Sequence, residues 1–531
     1  MRRVFARLVS LPVLSAVVIG AVWAWLGAPV EMPDSPLKSG DKLYCVSYAP
    51  FRDRQSPLDP ASAQITAAQI EDDIARLSKL TDCVRTYSVD FSLNLVPEIA
   101  SRHGMKVIMG LWLSGQPDKN RYQIATAIAL ANKHPNTVRA VVVGNEVLLR
   151  GEMAAGDLAA TIAAVKSRVP VPVTYADVWE FWLRNPSLAN VADFVTIHIL
   201  PYWEDDPIAA DEAAAHVESI RRRVAEAFPG KEIMIGEFGW PSAGRMRESA
   251  LPSLANQASV IQDVLVLAKR GNFRVNLIEA FDQPWKRALE GTVGGHWGFF
   301  DNDTRDFKFA WGAPVSSHPY WIWQAIGGIA FAGFIFVAAF RRSEAATPAV
   351  WLGVSAIAVV SGITIGWAIE NATYESFGAG GIARSIALVF LALAVPPLAA
   401  GALVARRALP QFSDILNEDV PLDGRSRALG WVTIGVTVIV VMTALGLAFD
   451  PRYRDFPYAP LSCAIVPLFI AVVLSAHKGR GVAEMLAAAV LVACAAFMLW
   501  NETLANWQSV WLAGLFVLLA LTLTPVRAAR S

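Results

Sequence analysis

Val141-Val-Val-Gly-Asn-Glu146 and Ile235-Gly-Glu237-Phe-Gly-Trp240 each set a glutamate directly behind a short apolar run. That is the pattern of a carboxylate at the carboxyl end of a buried parallel strand. Two such carboxylates facing one another can break a glycosidic bond. One, as an acid, protonates the leaving oxygen, and the other attacks the anomeric carbon or activates water. A single glutamate of this kind is by base rate a solvated loop residue, so the argument rests on the pair.

Short apolar strands at 43–48, 83–87, 106–112, 139–145, 172–176, 193–199, 232–236 and 275–281 are expected to carry these residues. Helical patterns fill the gaps: 121–133, 154–168, 208–228, 253–270, and a segment after Thr66-Ala-Ala-Gln69. That tetrapeptide reads as a capping box followed by Ile70, Ile74, Leu77 and Leu80 on one face. Eight strands alternating with helices favour a closed (β/α)8 TIM barrel, of class α/β, over an open doubly wound sheet. In a barrel the site gathers at the carboxyl ends of the strands. Besides Glu146 and Glu237, those ends supply Tyr48 with Arg52, Tyr87, Trp112, Asp177 with Trp179, His198 with Tyr202, and Glu279 with Asp282 and Trp285. Aromatic faces for sugar rings and carboxylates for hydroxyls make this a carbohydrate-binding rim. Glu279 and Asp282 equally suit anchoring Lys286 and Arg287. Trp179, Trp182 and Trp203 are either acceptor platforms or packing residues, and His198 reads as a hydrogen-bonded residue beside the site.

The chain has 54% apolar residues and a positive mean hydropathy, and the excess lies at its two ends. A helix needs ~20 apolar residues to cross the hydrocarbon core. Eight segments qualify, near 8–27, 320–340, 348–369, 381–405, 428–449, 457–476, 482–500 and 507–524. The expected organisation is an N-terminal anchor (1–27), a linker (28–40), an exported glycosidase domain (41–318) and a polytopic seven-helix region (319–531). Arg2, Arg3, Arg7, Arg341, Arg342, Arg406, Arg407, Arg425, Arg427, Lys478, Arg480, Arg527 and Arg530 all fall on one side of that arrangement. By the positive-inside rule both termini are cytoplasmic and the middle domain is periplasmic, in a multi-pass protein of a bacterial inner membrane with membrane lipid as its surroundings. The first segment reads as an uncleaved anchor, with a signal peptide cut near Leu26-Gly27-Ala28 as the alternative. Zero formal net charge, without a basic cluster away from the membrane flanks, excludes nucleic acid as a partner. The seven histidines show no ligand spacing, so neither a metal nor another cofactor is expected. Cys45 and Cys83 open neighbouring strands and are either a disulfide or two buried thiols.

Gly144-Asn145-Glu146 and Gly236-Glu237-Phe238-Gly239-Trp240-Pro241 resemble the acid/base and nucleophile motifs of glycoside hydrolase family 17, the β-1,3-glucanases and β-glucan transglycosylases. The likeness extends over 41–312, with Val46-Ser-Tyr48-Ala-Pro50, Val84-Arg85-Thr-Tyr87, Gly110-Leu-Trp112, Glu279-Ala-Phe-Asp282-Gln-Pro-Trp285-Lys286 and His296-Trp297-Gly298 in order. Phe238 stands where the family often has Thr. The resemblance implies retention through a covalent glycosyl-enzyme, with Glu237 as nucleophile, Glu146 as acid/base, and Asn145 and Trp240 among the sugar contacts. It also implies that burial and the charge of Glu237 raise the pKa of Glu146. A barrel of this kind joined to many spans is similar to membrane-bound bacterial β-1,3/β-1,6-glucan synthases of rhizobia. The expected function is therefore β-glucan transglycosylation between donor and acceptor oligosaccharides, giving branched or cyclic products. Endo-hydrolysis by the same residues and an inactive glucan-binding sensor are the alternatives. Seven spans exceed what anchoring needs, which points to a glucan synthase as a partner. Few charges inside them disfavour an ion-coupled transporter.

Overall fold

The computed structural model describes residues 2–38, 40–340, 346–417, 419–474 and 481–524, with side chains from residue 10 onward. The chain divides into two compact units. One comprises residues 30–243 and 249–315, and the other residues 1–29, 244–248 and 316–531.

The first unit is a closed parallel barrel in the order β1 (Cys45–Ser47), β2 (Cys83–Arg85), β3 (Lys106–Leu111), β4 (Val138–Asn145), β5 (Val173–Val178), β6 (Val195–His198), β7 (Ile233–Phe238) and β8 (Val275–Leu277), with β8 pairing back onto β1. All eight expected strands are present. β1, β2 and β8 are only three residues long, because beyond them the backbone turns away to carry Tyr48, Tyr87 and Glu279. Strands buried on both faces read as continuous apolar runs, and Val141, Val142 and Val143 of β4 are each no more than 2% exposed.

Helices Ala67–Leu77, Pro117–Lys133, Ala155–Lys166, Ala213–Ala227 and Leu254–Gly271 occupy the expected intervals. Val96–Arg102, Trp179–Arg184, Leu188–Val191 and Arg287–Gly294 were not anticipated, each being too short to show a helical period. The capping box at Thr66 is half made. Thr66 Oγ1 accepts from the Gln69 amide, but the Gln69 side chain donates to the Pro50 carbonyl at 2.5 Å instead of returning to the cap. Cys45 and Cys83, on paired strands, form a disulfide.

The second unit is helical. Helices stand at all eight expected apolar segments. Among the described residues, five are long and apolar enough to cross a membrane: Trp321–Phe340, Pro348–Glu375, Gly378–Val404, Gly424–Phe449 and Val482–Glu502. The apolar helices Ser10–Leu26, Tyr458–Leu474 and Trp507–Leu523 are shorter. Arg341, Arg342, Lys478, Arg480, Arg527 and Arg530, on which part of the orientation rests, lie outside the described residues, as do the side chains of Arg2, Arg3 and Arg7. Arg384 pairs with Glu375 at 3.0 Å, and the buried Glu484 carboxylate accepts the Phe412 amide at 2.8 Å.

Candidate active site

Strand alternation alone does not turn both glutamates inward, and local irregularities do the rest. The β4–β5 register shifts between Val142 and Asn145, the β6–β7 register between Ile197 and His198, and the β7–β8 register between Ile235 and Phe238. Such bulges re-aim side chains near functional sites. Gly144 has φ +91°, and a Cβ there would lie 2.7 Å from Val147 Cγ2. Glu146 itself has φ +53°, a left-handed conformation that costs a non-glycine residue of order 1–3 kcal/mol. The turn is held from several sides. The Glu146 amide donates to the Ala176 carbonyl at 2.8 Å, and the Arg150 amide donates to the Glu146 carbonyl at 2.9 Å. The Leu148 amide donates to the Tyr175 hydroxyl, which in turn bonds Asp177.

Glu146, His198 and Glu237 converge, each offering one ligand-type atom within 4.8 Å of the others. His198 Nδ1 lies 2.9 Å from Glu146 Oε1, and its Nε2 lies 3.5 Å from Glu237 Oε1. Arg85, 1% exposed on β2, binds both strand ends. Its Nη1 donates to Glu237 Oε1 at 3.0 Å and to the Gly236 carbonyl at 2.7 Å, and its Nη2 donates to Asn145 Oδ1 at 2.5 Å. The three ligand-type atoms could hold a divalent cation by proximity. Arg85 already gives Glu237 a fixed positive partner, however, which is the electrostatics of a paired carboxylate more than of a metal cage. Below this layer Asn276 Nδ2 bonds Ser47 Oγ and the Gly236 carbonyl, and the Tyr87 hydroxyl donates to Ser47 Oγ.

The expected rise in the Glu146 pKa is not found. Burial pushes it up, but the hydrogen bond and charge of His198, followed by the charges of Arg150 and Arg85, outweigh burial and bring it below the ordinary carboxylate value. Glu146 is thus ionised at neutral pH and takes the hydrogen carried on Nδ1. The raised group is Glu279, which burial pushes to about 7 even though Lys286 Nζ sits 2.8 Å away. Burial also raises Glu290, with Lys286 opposing and Glu146 and Glu237 adding to the rise.

The remaining expected contacts divide. Asn145, His198 and Tyr87 join the glutamate cluster, and Trp112 presents an exposed ring. Tyr48 is not on the rim: it is fully buried and bonds Asp73, which also holds Arg52. Asp177 is fully buried and spent on Tyr175 and on the Val178 and Leu149 amides. Trp240 is buried with its Nε1 bonded to the Leu251 carbonyl, and Tyr202 is buried edge-on against Trp203, Trp240 and Trp297. Glu279 does anchor Lys286, whereas Asp282 holds Lys308 at 2.7 Å and the Gly298 amide at 2.9 Å. Trp179 is mostly buried beside Glu204, Trp182 is buried with its Nε1 on the Thr196 carbonyl, and Trp285 packs edge-on against Phe51. Arg85 was missed as a site residue. A charged side chain at an inward position of an apolar strand must find partners, and that was the available signal.

Residues 45–298 match the model of the BtgE/BtgC glycoside hydrolase domain. The barrel is therefore similar to glycoside hydrolase domains over nearly all of its length. A probable beta-glucosidase, btgE, of Aspergillus fumigatus is 28% identical over 263 residues, 48% of this chain and 45% of that protein. A glucan 1,3-beta-glucosidase of Candida albicans is 26% identical over 261 residues, 44% of this chain and 83% of that one. Among solved structures, the family 17 beta-1,3-glucanosyltransferase of Rhizomucor miehei is similar, with 29% identity, 50% of this chain and 95% of that chain covered, and a TM-score of 0.45. The chain spans about half the length of the Aspergillus relative. The match to the BtgE/BtgC glycoside hydrolase domain ends before the helical unit begins again at residue 316.

Proposed function

We propose that the barrel is a retaining β-glucan transglycosylase acting on β-1,3-glucan, with Glu237 as nucleophile and Glu146 as acid/base. The observation that carries this reading is the spacing of the carboxylates, one oxygen of each lying within 4.8 Å of the other. Retaining glycosidases hold the pair about 5–5.5 Å apart, whereas inverting ones open it to roughly 6.5–9.5 Å to admit water. In the first step Glu237 forms a bond to the anomeric carbon as the glycosidic C–O bond breaks, and the leaving oxygen takes a proton from Glu146. In the second, an acceptor hydroxyl attacks that carbon and gives its proton to Glu146 while Glu237 departs.

His198 links the two steps. Its Nδ1 lies 2.9 Å from Glu146 Oε1 and its Nε2 lies 3.5 Å from Glu237 Oε1, so one ring touches both carboxylates. In the free site Nδ1–H faces Glu146 and holds it ionised. The alkaline limb of kcat/KM, which reports the free enzyme, therefore lies on the acidic side of neutrality, and His198→Phe moves it upward. The Cys45–Cys83 disulfide supports an oxidising compartment, hence an exported barrel on a membrane-embedded helical region. Hydrolysis by the same residues is the second reading, favoured by the glucosidase names of the relatives.

The test incubates the full chain in detergent with β-1,3-gluco-oligosaccharides and reads product mass and linkage, with Glu237→Gln as control. Products longer than the substrate, absent from the control, are expected. Shorter sugars alone would make the protein a glucanase, and no turnover in the wild type would leave a glucan binder.

A further inference from the structure

Arg150 is a side chain to which the proposed chemistry assigns no work, yet it makes an unusual set of contacts. Its guanidinium lies 4.2 Å from the centre of the Trp112 ring. Its Nη1 donates to the Asn145 carbonyl, the peptide group directly before Glu146, and its Nη2 donates to the Leu113 carbonyl at 2.7 Å. Its Nε donates to Glu152 Oε1 at 3.1 Å, and Glu152 Oε2 accepts the Gly115 amide at 3.1 Å. One planar fork therefore ties the loop after β3 to the end of β4 and covers one face of an indole. With that contact made, Trp112 is still 40% exposed. An exposed ring held by a cation beneath it is a platform for the apolar face of a pyranose.

We infer that Arg150 is the positioning residue that joins a sugar platform, the exposed ring of Trp112, to the backbone of the acid/base glutamate. The platform takes the glucosyl unit on the acid side of the scissile bond, which is the leaving unit in the first step and the acceptor in the second. The inference rests on the reading of Glu146 as acid/base. The acid must reach the oxygen that this unit carries, and Glu146 is held at a left-handed φ that only its surroundings maintain. Fixing ring and carboxylate to one guanidinium sets sugar and proton donor in a single frame, as positioning in catalysis requires. A lysine cannot reproduce it, having a point charge and no fork.

The experiment compares two substrates on the full chain: a β-laminaribiosyl fluoride, whose leaving group carries no sugar, and a β-1,3-gluco-oligosaccharide. Trp112→Ala and Arg150→Lys are each expected to lower kcat/KM on the oligosaccharide about tenfold, the size of one lost aromatic contact, and to leave kcat/KM for fluoride release, which reports only formation of the glycosyl-enzyme, within about twofold. Because ring and guanidinium act as one unit, the double variant should fall no further than either single one. Equal losses on both substrates would make Arg150 a staple of the fold, and no loss on either would empty the platform. Both results overturn the inference while leaving the proposed function standing. A wild type inactive on both substrates would overturn the two together.

Discussion

The barrel and the helical unit both bury polar side chains, but they differ in how far along the chain the partners lie. In the helical unit five buried hydroxyls donate within their own helix, four residues back: Thr364 to Val360, Thr433 to Leu429, Thr437 to Thr433, Ser462 to Tyr458 and Thr522 to Leu518, at 2.7–2.9 Å, although Thr364 and Ser462 also meet Cys463 and Trp511 of other helices. In the barrel Arg85 reaches across 60 residues to Asn145 and 152 to Glu237, and His198 across 52 to Glu146. A group satisfied by its own helix is a solution to solvation and needs no partner from elsewhere. Groups that can be satisfied only by meeting one another make a site, and their energies are coupled.

Arg85→Met should show the largest consequence of that coupling. It strands the Glu237 carboxylate and the Asn145 amide oxygen together and leaves the Gly236 carbonyl to Asn276 alone. Breaking a buried pair costs about 3–5 kcal/mol. A fall in the melting temperature of roughly 10 °C, with turnover down at least about a hundredfold, is expected. An intact melt would mean that the guanidinium is replaceable by water, and the contrast between the two units would weaken.

Next in size is a pH effect. Burial raises the pKa of Glu279 from 4.5 to about 7, so the folded state binds its proton more tightly than the unfolded chain does. The favourable term is complete below about 4.5, is lost as pH rises toward about 7, and changes no further above that. It is of order 3 kcal/mol. Thermal melts of the full chain from pH 4 to 8 should fall across that window. Glu279→Gln should flatten the curve, since an amide keeps an acceptor for Lys286 without titrating. An unchanged slope would assign the fall to other groups.

These two residues also mark how far the sequence could be read. The eight strands and both glutamates were legible, because apolar runs ending at glycine and a carboxylate are local patterns. The partner of Glu237 was not, because Arg85 lies in another strand and its role depends on barrel closure. Tyr48 was misplaced for a related reason. Its partner Asp73 sits between Ile70, Ile74 and Leu77 on the inner face of one helix, and a charged residue in that stripe was the sign of a buried bond. The Glu146 pKa was misjudged because burial was foreseen and His198 was not counted as its donor.

Gly144→Ala probes the turn itself. The substitution needs φ +91° from a residue with a Cβ that would meet Val147 at 2.7 Å, a cost of about 1–3 kcal/mol. The expected signature is a modest loss in melting temperature with a larger proportional loss in turnover, as Glu146 moves off its position. A loss in melting temperature with full turnover would show that the carboxylate finds its place without the glycine.

The smallest effect expected belongs to the other unit, and it tests the comparison from that side. Thr437 is 4% exposed, and its hydroxyl donates to the Thr433 carbonyl at 2.9 Å. That carbonyl already serves the helix ladder, so Thr437→Val removes a redundant bond and preserves shape. Its net worth is no more than about 1 kcal/mol, and β-glucan turnover by the full chain should stay within about twofold. The same swap in the barrel, Thr196→Val, removes a hydroxyl that lies 3.0 Å from the Thr174 hydroxyl of the neighbouring strand. It should lower the melting temperature more, because the Thr174 group loses a partner supplied by a different strand. If Thr437→Val instead abolished turnover while Thr196→Val left the melt unchanged, the middle of the helical bundle would contain a polar site of its own, and locally satisfied hydroxyls could no longer be read as functionally silent.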